Sequence, residues 1–201
     1  MGTSVNNVHI RVKEGDFSRL HQTVLTALRN HMHALDFHEI LVSDTLENSV
    51  AVVSDPETRW ISVFPYVALN ITDAISRTLS QIGPYPVLGI QVANSEVLTL
   101  KLFENGEQID TFCDWANFKD EPREVTGDAT KWVSLLPVGE GADALRAAWQ
   151  PSETVDDPFQ AEDILERVVD LLELDPEIVW WDEGDDSHLP VTRATRLYFA
   201  P

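Results

Sequence analysis

Residues 97–110, VLTLKLFENGEQID, decide how this chain folds. Leu98, Leu100 and Leu102 alternate with polar residues, which is the period of a half-buried strand. Asn105-Gly106 then supplies two positions that tolerate positive φ, as a type I′ turn requires. The reading is a hairpin with Glu104 facing Glu107, Leu102 facing Ile109 and Lys101 facing Asp110. One side would be apolar and the other would carry a cross-strand ion pair.

Working back from the hairpin, Val87 to Val92 is a second strand. Before it, Ile71, Ile75, Leu79 and Ile82 recur at helical spacing, with Asn70 and Asp73 placed to cap the start. Gly83 stands where a left-handed C-cap would end that helix, and Pro84 bars its continuation. Trp60 to Phe64 precedes it as a strand, so residues 60–113 have the order strand, helix, strand, strand.

The same order occurs earlier, over residues 8–54. Val8 to Val12 alternates, and Gly15-Asp16 breaks the chain where a helix should begin. From Phe17 the apolar period becomes helical through Leu20, Val24, Leu28 and Met32, with Arg19, Gln22, Arg29 and Asn30 on the wet side. His38 to Val42 and Val50 to Ser54 read as strands, the second closed by Asp55-Pro56. The expected fold class is α+β: tandem strand-helix-strand-strand units making a mostly antiparallel sheet with two helices on one face, followed by an acidic helical C-terminal segment. Residues 1–114 would form the sheet, and residues 115–201 a mainly helical extension packed on it with a short terminal strand.

Charge separates these two parts. The chain has 14 Lys and Arg against 34 Asp and Glu, yet residues 1–100 hold 6 basic and 10 acidic residues while residues 101–201 hold 8 and 24. So acidic a surface repels nucleic acid and anionic membranes, which need clustered cations to displace counterions. It attracts basic proteins and speeds encounter with them. No apolar run follows a basic N-terminal segment and no stretch approaches the ~20 residues of a membrane span. The lone Cys113 makes no internal disulfide. These features point to the cytoplasm.

In the acidic half, Lys131 to Leu136 and Ala144 to Trp149 read as short helices, and Asp157-Pro158 opens a longer one. There Ala161, Leu165, Val168 and Leu172 make the packing stripe, flanked by Ile164 and Leu171. Glu162, Asp163, Glu166, Asp170 and Glu173 make a carboxylate row on the other side, with Arg167 in reach of Asp163 one turn back. Asp175-Pro176 starts another short helix through Trp181. Trp180 and Trp181 cannot both face one core, so one of them is a candidate binding anchor beside the carboxylates; the favoured alternative is that the terminal strand buries both, since its apolar run Leu197, Tyr198 and Phe199 needs cover.

Sites for chemistry are scarce. Asp182, Glu183, Asp185, Asp186 and His188 crowd oxygen ligands around Gly184, but the spacing is not that of a calcium loop, so they are weak metal candidates. His31, His33 and His38, with Asp36 and Glu39, cluster where the first helix ends, but His31 and His33 face different directions. Cys113 lies beside Asp114 in an apolar strand and reads as core. Phosphate loops, nucleophile elbows, H-E-x-x-H and Cys-x-x-Cys are all absent, and no cofactor is implied. The sequence therefore favours a non-catalytic interaction protein of regulatory or toxin-neutralising type. Its basic partner would meet Glu162, Asp163, Glu166, Asp170, Glu173, Trp180 and Trp181. The alternative is a small-molecule-binding or metal-dependent enzyme with its site in the cupped N-terminal sheet.

Overall fold

The structure, a computed structural model, describes residues 4–12, 17–41, 48–66, 71–95, 97–115, 126–150, 160–180 and 194–200. Within them the chain is α+β, with an eight-stranded antiparallel sheet and six helices. The strands are β1 (Val5–Arg11), β2 (His38–Ile40), β3 (Ser49–Asp55), β4 (Trp60–Tyr66), β5 (Val87–Ala93), β6 (Val97–Glu104), β7 (Glu107–Trp115) and β8 (Ala194–Ala200). Their spatial order is β2-β8-β3-β4-β1-β5-β6-β7. The C-terminal strand thus lies between β2 and β3, pairing with both.

One face of the sheet is covered by α1 (Phe17–Ala34) and α2 (Thr72–Leu79). Val8, Ile10, Val50, Val52, Ile61, Val63, Leu197 and Phe199 meet Leu20, Val24, Leu28, Met32, Ile75 and Leu79 there, all buried. Over the other face lie a 3-10 helix (Ala129–Leu135), α3 (Ala142–Ala148), α4 (Gln160–Leu172) and α5 (Pro176–Val179). Leu88, Ile90, Leu98, Leu100, Leu102 and Phe112 form its floor. Trp149 stacks on Phe112 at 4.6 Å and meets Trp132 edge-on at 5.5 Å. Sandwiching between helices explains why β4 is buried from Trp60 through Pro65: both of its pleat faces have cover.

Two local expectations change. Asn105 and Gly106 take φ of 52° and 83°, and Glu104 does face Glu107. Beyond them, however, a bulge between Leu102 and Phe103 shifts the ladder, so Leu102 faces Asp110 and Lys101 faces Thr111. The extra residue is Ile109, which packs partly buried against the apolar floor. An inserted residue moves the next side chain to the opposite face, which turns Asp110 toward Trp132 and Lys131. Lys101 instead pairs with Asp73 of α2 at 2.7 Å.

The second helix is also shorter than its stripe. It ends at Leu79 with Ser80 as a right-handed C-cap, and Gly83 is not left-handed. Glycine at 83 answers a steric need, since a Cβ there would sit 2.7 Å from the Tyr85 ring. The N-cap of α2 is Ile71, without a side-chain bond, and Asn70 lies outside the described residues. At α5 the expected cap holds, for the Asp175 side chain accepts from the Glu177 amide at 2.9 Å.

Candidate functional site

The candidate surface is the outer side of α4. Its inner stripe, Ala161, Ile164, Leu165, Val168, Val169 and Leu172, is fully buried. Opposite it, Glu166 and Asp170 are exposed, Glu162 and Asp163 are half-buried, and Glu173 is exposed just past the helix end. The sequence placed Arg167 against Asp163. It points elsewhere, donating from Nε to the Ala148 carbonyl at 3.2 Å and from Nη2 to the Gln150 carbonyl at 2.6 Å. Those oxygens lie at the end of α3, where carbonyls have no partner within the helix, and the guanidinium satisfies them. Among the described residues, Glu162, Asp163, Glu166 and Asp170 therefore have no ion-pair partner.

Beneath α4 runs a row of polar side chains from the central strand. Asn7, His9 and Arg11 alternate with Val8 and Ile10 and point at the α4–α5 layer, where all three are buried. Asn7 donates to the Val179 carbonyl at 3.0 Å, which fixes α5. Arg11 donates through Nη1 to the carbonyls of Leu172 (3.1 Å) and Thr58 (2.9 Å), and through Nη2 to Glu173 (3.2 Å). Trp60 Nε1 also donates to Leu172, at 3.0 Å, and its ring lies under the Arg11 guanidinium at 5.1 Å. A cation thus meets the negative end of the α4 dipole in a nearly dry setting.

His9 completes the row. Its ring nitrogens sit 2.8 Å from Ser62 Oγ and 2.8 Å from Asn7 Oδ1, with Trp60 and Phe64 edge-on to the ring. Burial lowers its pKa to about 3, so the imidazole is neutral and serves as a hydrogen-bonding spacer.

The remaining candidates separate. Trp180 is half-buried against the core under α4, while Trp181 lies outside the described residues, as do Asp182, Glu183, Asp185, Asp186 and His188. No group of three His, Cys, Asp or Glu side chains among the described residues is placed to hold a metal ion. His31 contacts Thr78 at 3.0 Å, and Glu39 pairs with Arg29 at 2.8 Å. Cys113 is half-buried rather than deep in the core, and burial raises its pKa, the opposite of a reactive thiol. Among the described residues no helix is long and apolar enough to cross a membrane.

One cleft has no counterpart in the sequence reading. His21, on α1, places Nδ1 2.5 Å from Ser54 Oγ and Nε2 3.1 Å from Thr195 Oγ1, at the floor of a cavity of about 270 Å³. Burial lowers the His21 pKa from its ordinary value. Sequence patterning gave no signal for it, because its partners come from strands β3 and β8, far along the chain.

No protein-family model, curated protein or solved structure matches this chain.

Proposed function

We propose that this chain is an interaction protein, regulatory or toxin-neutralising in type, that presents the outer face of α4 to a basic protein. In this reading residues 115–201 are an acidic helical extension of the sheet, and Glu162, Asp163, Glu166, Asp170 and Glu173 are the contact, with Trp180 and Trp181 at its edge. The observation that carries it is the use made of the two arginines near α4. Arg167 serves the end of α3, and Arg11 serves the end of α4 and Glu173. Among the described residues the four remaining carboxylates have no ion-pair partner, and Glu166 and Asp170 are exposed, on a helix held down by buried bonds. A fixed, uncompensated field of one sign steers a partner of the other sign.

The test is capture of basic proteins from a lysate on immobilised protein, followed by association kinetics with the protein recovered. The on-rate should fall steeply with ionic strength, since exposed charges beyond about 10 Å are screened at 0.1 M salt. The double variant Glu166→Lys, Asp170→Lys should lower it further. An on-rate indifferent to both salt and charge reversal would overturn the assignment.

A further inference from the structure

We infer that Ser54 is a nucleophile activated by His21, in a cleft suited to small uncharged esters. The acidic face of α4 takes no part in this, so the inference stands apart from the proposed partner.

His21 lies between two hydroxyls, with Nδ1 2.5 Å from Ser54 Oγ and Nε2 3.1 Å from Thr195 Oγ1. The tautomer this inference uses has Ser54 donating to Nδ1 and Nε2–H donating to Thr195, in keeping with the shorter contacts that O–H donors make. This is the arrangement of nucleophile, base and orienting group that hydroxyl activation needs. Thr195 is a positioning residue, holding the tautomer in which Nδ1 carries the free pair. Burial keeps the imidazole neutral and able to accept a proton.

The surroundings fit an acyl group. Among the described residues the lining includes no Asp, Glu, Lys or Arg side chain. Phe17, Pro56 and Ala194 offer apolar surface, and Ser18 and Gln22 offer polar atoms at the mouth.

The step balances without a further reagent. Ser54 Oγ bonds to the ester carbonyl carbon as its proton passes to Nδ1. The bond to the leaving oxygen then breaks, and that oxygen takes the proton from the imidazolium. Water repeats the sequence on the seryl ester, releasing the carboxylic acid and restoring Ser54.

The experiment uses the full chain with a short-alkyl fluorophosphonate, read by intact mass and peptide mapping. The expected result is one adduct, on Ser54, with fluoride released. His21→Gln should slow its formation about 100-fold, the usual scale of general-base assistance. Thr195→Val should slow it less. Because mapping of the unsubstituted protein needs no variant, a misfolded variant cannot hide the answer. Absence of an adduct on Ser54, an adduct on Thr195 instead, or an equal rate in a folded His21→Gln protein would each overturn the inference.

Discussion

Arg11, on the central strand, donates to the carbonyl oxygen of Leu172, the last residue of α4, across 3.1 Å. The contact joins the sheet to the C-terminal end of the helix that carries the acidic face. It also determines how the face should respond to substitution.

Arg11→Met should lower stability by about 2–3 kcal/mol. Bonds from a buried guanidinium are worth roughly 1.5–3 kcal/mol each, and Trp60 continues to serve Leu172 in the variant. Glu173→Gln should cost less than about 1 kcal/mol, because that carboxylate is 59% exposed and screened. Urea unfolding of the two variants checks the order; equal losses would mean that the ion pair, and not the carbonyl contact, holds α4.

His9 predicts an acid dependence. Its pKa is about 3 in the folded protein against 6.5 as the ordinary value, so between these the unfolded chain binds the extra proton. Stability attached to neutral His9 is complete above pH 6.5 and is lost as pH falls toward 3, by up to roughly 1.4 kcal/mol per pH unit. His21 and His31 are shifted the same way and add to the slope. His9→Gln leaves those two in place, so its unfolding free energy should vary less steeply between pH 6 and pH 4. Parallel slopes would show that His9 does not stay neutral.

The polar row illustrates what the sequence could and could not convey. Asn7, His9 and Arg11 alternate with apolar residues, and that pattern alone describes a strand with one wet face. The strand is there, but its polar face is buried under α4 and α5, elements more than 150 residues away. Local chemistry was readable: Asn105-Gly106 turns as its φ preference requires, and Asp175 caps α5 through its own side chain. Relationships set by tertiary contact were not. The Ile109 bulge moves Asp110 away from Lys101, Arg167 turns to the end of α3, and His21 meets Ser54 and Thr195 only once β8 is in place.

The hairpin should depend on its two turn residues. A left-handed conformation costs an L-residue about 1–2 kcal/mol. Gly106→Ala should therefore destabilise by about 1 kcal/mol or more, with Gln81 also forced to move from a Cβ that would lie 2.3 Å from its amide nitrogen. Glu107→Ala, exposed at the start of β7 beside it, should stay within about 0.5 kcal/mol. Urea midpoints of the two decide whether the turn or its flanking charge matters.

Charge on α4 should be separable from stability. Glu166 and Asp170 are exposed, with no ion-pair partner among the described residues. Replacing both by Lys should change the unfolding free energy by no more than about 0.5 kcal/mol each. A large loss in thermal unfolding would mean that these carboxylates support the fold, and any slower association by the variant could not then be credited to steering.

The last strand should be indispensable. β8 supplies hydrogen bonds to β3 on one side and β2 on the other, and its Leu197 and Phe199 are buried in the core beneath α1. Without it, β3 becomes a long apolar edge, Val50 to Val53, and β2 loses the strand it pairs with. An uncovered edge of that kind recruits other chains. Deleting residues 194–201 should thus abolish cooperative unfolding and shift the protein to high-mass species on size-exclusion chromatography. The same deletion removes Thr195, so a variant with Leu197→Ser and Phe199→Ser tests the burial alone. It should lose several kcal/mol, since each buried large side chain truncated in a core costs roughly 2–5 kcal/mol. A folded, monomeric deletion product would show instead that the sheet closes on β3, with β8 an addition to a structure already complete.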